Sequence, residues 1–262
     1  MQFIKELYQE RRLLWELAKN DCKARFSSSA LGSIWTFLQP LINILVIWYV
    51  FQVGFKTAPV ENVPFIVWYL PAFLSWNFFS EGLSQATTSL VEYSYLVKKV
   101  NFKVSIIPII KIMSAAFIHF GFILFIIVVN LLYHREVSWY YFQAIYYFLC
   151  AFALMAGLGW LFSSISAFLS DFTNIISIII QTGFWATPIF WDPSSMAPIV
   201  QQVLKFNPMY YICQGYRDSF IYNIGVWERP KITLYFWVVT IFILIIGTKL
   251  YKRLSPQFDD VL

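Results

Sequence analysis

The sequence predicts an all-α polytopic membrane protein: an N-terminal amphipathic interfacial helix, six transmembrane helices, and a re-entrant helical hairpin between spans 5 and 6. Three observations predict it. Charged residues are 13% and hydrophobic residues 59% of 262 positions, with a mean hydropathy of +0.63, whereas a soluble domain carries about 25% charged residues. Several apolar runs reach the roughly 20 residues that cross ~30 Å of hydrocarbon. Once those runs are drawn as spans, Lys and Arg divide twelve to six between the two sides, the nineteenth being Lys111 inside a span.

Residues 1–31 form the first unit. Lys5, Arg11, Arg12, Lys19, Lys23 and Arg25 alternate with Glu6, Glu10, Glu16 and Asp21, and no continuous apolar core interrupts them, which argues against a cleaved signal peptide. Phe3, Ile4, Leu7, Leu14, Leu17 and Ala18 recur at three- and four-residue intervals. That spacing predicts a helix lying in the interface plane, the alternative being an ordinary solvated helix.

The transmembrane unit covers 32–254, with spans at about 33–54, 64–83, 105–132, 140–168, 173–191 and 232–250, and a short tail follows at 255–262. An even number of spans places both termini on one side. The Lys and Arg excess lies on that side, in the arm, the loop holding Lys98, Lys99 and Lys103, and the tail, so the termini are expected in the cytoplasm. Trp48, Trp68, Trp76, Trp139, Trp185, Trp191 and Trp237 fall near the expected span ends, as an aromatic belt would.

On the opposite side, the connection after span 5 contains Asp192-Pro193 and, fifteen residues later, Asn207-Pro208. Each pair is an N-cap followed by proline at the first helical position. Two short helices within about 193–222 are expected, too short and too polar to cross, yet carrying Ile199, Val203, Leu204, Met209 and Ile212. Apolar helices of that kind are most simply re-entrant, and such backbone is tolerated at depth only where protein or a cavity surrounds it.

Several chemistries are missing from the sequence. No GxxxxGK[ST] pattern occurs among its ten glycines, so the chain is not expected to hydrolyse nucleotide itself. His119 and His134 show no metal-ligand spacing, and His119 is read as a hydrogen-bonded core residue. Cys22, Cys150 and Cys213 are isolated and read as structural. The net charge of +5 fits cytoplasmic Lys and Arg rather than nucleic-acid binding. Ionisable residues at depth are functional candidates, but Glu81, Lys111 and Asp171 are few, and Lys111 is expected to snorkel towards Lys98 and Lys99. No carboxylate falls near a span midpoint, which weakens a proton-driven carrier.

The stretch DCKARFSSSALGSIWTFLQPL, residues 21–41, resembles the motif that opens the first span in permease subunits of type-2 ABC exporters of lipid-linked polysaccharide. Arg25, Phe26, Ser29, Leu31, Gly32, Trp35 and Pro40 match it. FNPMYYICQGYRDSF, residues 206–220, matches the family's Asn-Pro-aromatic turn followed by Arg-Asp, and SPQFDDVL matches its tail. The resemblance runs through nearly the whole chain.

It implies a homodimer, two copies of a cytoplasmic ABC ATPase that hold ATP and Mg, and no cofactor in this chain. Tyr95, Lys98, Lys99, Asn101 and Phe102 would belong to a coupling helix at about 92–103 that docks on the ATPase. The re-entrant pair, with Asp192, Pro193, Asn207, Pro208, Arg217 and Asp218, would gate the outer side. Spans 1 and 5 would line a channel, making Trp35, Phe37, Tyr49, Phe184, Trp185 and Phe190 candidate sugar contacts. Taken singly, each of these aromatics also reads as belt or core. Arg25 would either receive the lipid diphosphate or pair with lipid phosphates or Asp21.

The expected function is therefore a channel-forming permease of a bacterial cytoplasmic membrane, exporting undecaprenyl-diphosphate-linked, O-antigen-like polysaccharide, ahead of teichoic acid or capsule. A drug or small-lipid exporter of the same superfamily is disfavoured by the lack of room for a large outer domain. A membrane transferase acting on lipid-linked sugars would need a clustered acid, base or metal site, and Asp259-Asp260 in the tail is the nearest thing to one.

Overall fold

The structure, a computed structural model, describes residues 2–24, 34–56, 59, 60, 62–99 and 102–262. Arg25, Phe26, Ser29, Leu31, Gly32 and Asn101 therefore lie outside the described residues. Helices and short connections make up the rest, and there is no β-strand among the described residues. Backbone polar groups in hydrocarbon must be satisfied within the chain, and a helix does this within one segment.

Two helices open the chain, α1 (Gln2–Gln9) and α2 (Arg11–Ala24). The single N-terminal helix expected is thus divided at Glu10, although Glu10 N donates to Glu6 O at 2.9 Å and Leu14 N to Glu10 O at 2.8 Å across the junction. Next come α3 (Ile34–Trp48), prolonged by a π-helical stretch Tyr49–Gly54, and α4 (Phe65–Glu92). A four-residue helix, α5 (Ser94–Val97), follows, then α6 (Ile107–Leu132), α7 (Gln143–Ser166) and α8 (Phe172–Ala186). The hairpin is α9 (Pro198–Leu204) and α10 (Pro208–Arg217), which ends in a π-helical turn Asp218–Tyr222. The chain closes with α11 (Pro230–Leu254) and α12 (Phe258–Val261).

Helices occupy all six stretches expected to span. Four segments are long and apolar enough to cross a membrane by length and composition: Phe37–Gly54, Val104–Leu132, Trp139–Ser166 and Pro230–Val261. The second stretch runs on to Glu92 instead of ending at 83. The fifth stops at Ala186, because Thr187 is extended. The expected helix at 92–103 shortens to α5.

The helix expected from Asp192-Pro193 is only a 3-10 turn, Pro193–Ser195, and α9 begins at Pro198. Proline disfavours helical backbone in the residue before it. Ala197 accordingly sits at φ −56°, ψ 143°, which stops any helix from running through.

α4 is the centre of the bundle, packed by α6, α7 and α10. Phe65, Trp68, Tyr69, Leu70, Phe73 and Leu74 on it are all buried. This corrects the aromatic belt: Trp68 and Trp76 are 2% and 5% exposed and belong to the core, whereas Trp139 and Trp185 are exposed. A residue near a helix end faces protein when its helix is surrounded on all sides.

α7 and α11 meet at glycines. A Cβ on Gly247 would collide with the Gly157 carbonyl oxygen. Small residues let helix backbones approach where no hydrophobic drive separates protein from lipid. By contrast α3, α8 and α11 turn large apolar side chains outward, and on α8 only Ile176 is buried.

The bundle has two ends. One, the terminal face, gathers α1, α2, the end of α4, α5, the start of α6 and the C-terminal segment: Trp160 Nε1 donates to Ser105 O (2.9 Å), Tyr251 Oη to Val104 O (2.9 Å), and Phe258 packs on Phe168 and Tyr251. The other, the hairpin face, holds 187–229. The 134–136 loop docks on it through Arg135 Nη2, which donates to Ile221 O at 2.8 Å.

Candidate functional site

Three sets of residues were expected to act: the hairpin, the coupling segment and the aromatic wall. In the hairpin, both predicted caps form. The Asp192 carboxylate accepts from Ser194 N at 2.9 Å, and the Asn207 side chain accepts from Met209 N at 2.9 Å while donating to Thr187 Oγ1 at 2.8 Å. Pro193 and Pro208 each occupy a first helical turn, where their missing N–H costs nothing.

Arg217 is 1% exposed. It donates to Trp68 O (3.2 Å), Pro188 O (2.8 Å) and Ile189 O (2.6 Å). Its guanidinium also stacks on the Trp68 ring. One arginine therefore ties α10 to α4 and to the non-helical 187–189 segment, using the planar fork that lysine lacks. Asp218 beside it is buried too, bonded by Gln214 Nε2 (3.0 Å) and bridged by Arg229 Nε (2.8 Å). These two residues hold the hairpin in place. Cys213 lies in the same contact, its Sγ 3.4 Å from Ser75 Oγ.

At the terminal face, Tyr95, Lys98 and Lys99 are exposed, while Leu96 and Val97 between them are buried. Phe102 is half-buried. This segment is tied to the N-terminal helices: Lys103 Nζ reaches Glu10 Oε1 (3.0 Å) and Gln9 Oε1 (3.2 Å), and Ser105 Oγ donates to Glu6 Oε2 (2.6 Å).

Lys111 corrects the expectation that it snorkels to Lys98 and Lys99. It is buried, 2.7 Å from Asp21 Oδ1 and 2.6 Å from Glu92 Oε2. Two carboxylates close enough to neutralise the ammonium in place remove the reason to reach for water. Lys111 and Asp21 both stand out in the sequence, but nothing in it joins them. The available signal was a cation inside a span with no carboxylate assigned to it.

Among the expected wall residues, Trp35, Phe37, Tyr49 and Trp185 are exposed on the bundle's side. Phe37 leans on Phe122 at 5.2 Å. Phe184 and Phe190 are half-buried in an aromatic cluster: Phe190 sits 5.6 Å from both Phe51 and Phe184 and 5.0 Å from Trp185, and Phe184 packs on Phe73 and Trp76. His119 is the core residue expected, with Nε2 2.6 Å from Tyr216 Oη and its ring 4.5 Å from that of Phe78.

A model of the ABC-2 type transporter family matches residues 12–221. The chain is 24% identical over 260 residues to an O-antigen export system permease protein RfbA of Klebsiella pneumoniae, covering 95% of each chain. A second such protein of the same organism is 23% identical over 261 residues, again 95% of each. One from Myxococcus xanthus is 25% identical over 222 residues, 84% of each.

Proposed function

Because the chain belongs to the ABC-2 type transporter family, we propose that it is the channel-forming permease subunit of an ATP-driven exporter. Its cargo on this reading is undecaprenyl-diphosphate-linked, O-antigen-like polysaccharide, moved from the cytoplasmic to the outer face of a bacterial inner membrane. The O-antigen choice, ahead of teichoic acid or capsule, follows the names of the three relatives. Two copies of the chain assemble with two copies of a soluble ABC ATPase that holds ATP and Mg.

The observation that carries this reading is the build of the terminal face. Exposed Tyr95, Lys98 and Lys99 ride on buried Leu96 and Val97, and the segment is bolted to the N-terminal helices by Lys103 and Ser105. A surface that is open outward and fixed inward suits a partner that pushes on it. The Lys and Arg excess on that face supports a cytoplasmic orientation. The outward apolar faces of α3 and α8 suit a second copy, with Trp35, Phe37, Tyr49, Phe184, Trp185 and Phe190 lining the passage between the two copies. Six crossings follow if α4, whose 28 residues are about 42 Å long, and the shorter α8 also traverse. On this reading Arg25 keeps the role of receiving the lipid diphosphate, and Asn101 a part in ATPase docking.

The test is co-purification with a soluble ABC ATPase, such as one encoded beside this chain, and measurement of ATP hydrolysis with and without the chain. Association and a change in hydrolysis are expected. A chain that neither binds the ATPase nor alters its rate overturns the exporter.

A further inference from the structure

Lys111 has no part in the path proposed above, yet it is among the most heavily committed charges in the bundle. It lies one turn inside α6 and is 6% exposed. Its Nζ touches Asp21 on α2 and Glu92 at the end of α4, and sits 4.8 Å above the Tyr93 ring. The Tyr93 hydroxyl donates to the same Asp21 oxygen at 2.7 Å. Three elements therefore meet at one ammonium, on the residues immediately before α5.

The two arms of this junction differ. The Asp21 side chain is 5% exposed and that of Glu92 is 48%. Parting Lys111 from Asp21 would break an ion pair between two buried side chains, which is unfavourable. Parting it from Glu92 returns a half-exposed carboxylate to water, at an edge that also opens onto a cavity of about 620 Å³ lined by Thr88, Ser94 and Thr173. The firm arm is reinforced by packing: Leu14 and Ala18 of α2 are buried, and Trp15 sets its edge on Phe117 of α6 at 5.0 Å. α2 and α6 thus behave as one body, and of the ties between it and the α4–α5 corner, Tyr93 Oη to Asp21 and Lys111 to Glu92, the second is the half-exposed one that can yield.

We infer that Lys111 is a positioning residue for transport. It fixes α2 on α6 through Asp21 and receives the movement of the α4–α5 corner through Glu92, so that a push on residues 95–99 reaches the N-terminal helices. The inference rests on the partner ATPase of the proposed function.

The test uses the full chain with its ATPase in proteoliposomes, with ATP as the probe. Chain-dependent hydrolysis and the melting temperature are measured for wild type, Glu92→Gln, Lys111→Met and Lys111→Arg. Glu92→Gln is expected to keep the ATPase bound and the melting temperature unchanged, while chain-dependent kcat changes about fivefold or more and KM for ATP stays constant. Lys111→Arg should restore what Lys111→Met loses. If Lys111→Met fails to fold, Glu92→Gln alone decides. Wild-type kcat in Glu92→Gln, or a change that only tracks a fall in melting temperature, overturns the inference and leaves the exporter standing. A wild-type chain that does not engage the ATPase overturns both.

Discussion

The guanidinium of Arg217 lies 3.6 Å from the centre of the Trp68 ring, on a partner 149 residues away in sequence whose carbonyl it also binds. A buried cation is held here by a π-face and three carbonyl oxygens. The carbonyls of Pro188 and Ile189 come from the stretch after α8, where the chain has left helical bonding and needs donors from elsewhere.

Arg217→Ala should therefore strip donors from three carbonyls and remove the stacking together. The expected loss is about 3 kcal/mol or more, as for other changes that orphan buried polar groups. Arg217→Lys should fall between the two, because an ammonium cannot serve the three carbonyls in the arginine's fork geometry. Thermal unfolding of the purified protein in detergent gives the ranking, and equal melting temperatures for all three would contradict it.

The Asn207 cap makes a second, separable prediction. Asn207→Ala loses both the bond from Met209 N and the bond to Thr187 Oγ1, and should cost about 1 kcal/mol. Asn207→Asp keeps the acceptor and loses only the amide donor, so its effect should be smaller. Amide hydrogen exchange at 209–212 should speed up in the alanine variant while α4 and α7 stay protected.

Gly247→Ala tests the contact between α7 and α11. The added methyl meets the Gly157 carbonyl, which is backbone and cannot rotate away. Separation of the two helices should cost about 1–3 kcal/mol, seen as a lower melting temperature. An unchanged melting temperature would show that the helices do not pack this closely.

Lys98→Glu combined with Lys99→Glu probes docking without touching the core, since both side chains are exposed. The melting temperature should stay within the small range typical of surface changes, about 0.5 kcal/mol, while the ATPase is lost or its hydrolysis no longer depends on the chain. Phe102→Ala should do the same with some added loss of stability, because its ring is half-buried. Transport unaffected by all three replacements would remove the coupling role.

The sequence by itself determined what is local. The low charge content set the solvent, the apolar runs placed the helices, and Asn207 with Pro208 announced the start of α10 one residue before it begins. Each rests on forces acting within a few neighbours: backbone hydrogen bonding, capping and preference for hydrocarbon. Even the failure at Asp192-Pro193 was local, since the cap forms and Pro198 then ends the run.

Tertiary structure alone decided the partnerships. Lys111 read as a snorkelling cation because its neighbours in sequence are apolar, and the buried carboxylate that holds it, Asp21, lies 90 residues away. Trp68 read as a belt residue until α10 delivered Arg217 to it. A charge or an aromatic ring is indifferent to sequence distance and responds only to what packing brings within a few ångströms, so side chains of this kind acquire their roles only when the bundle closes.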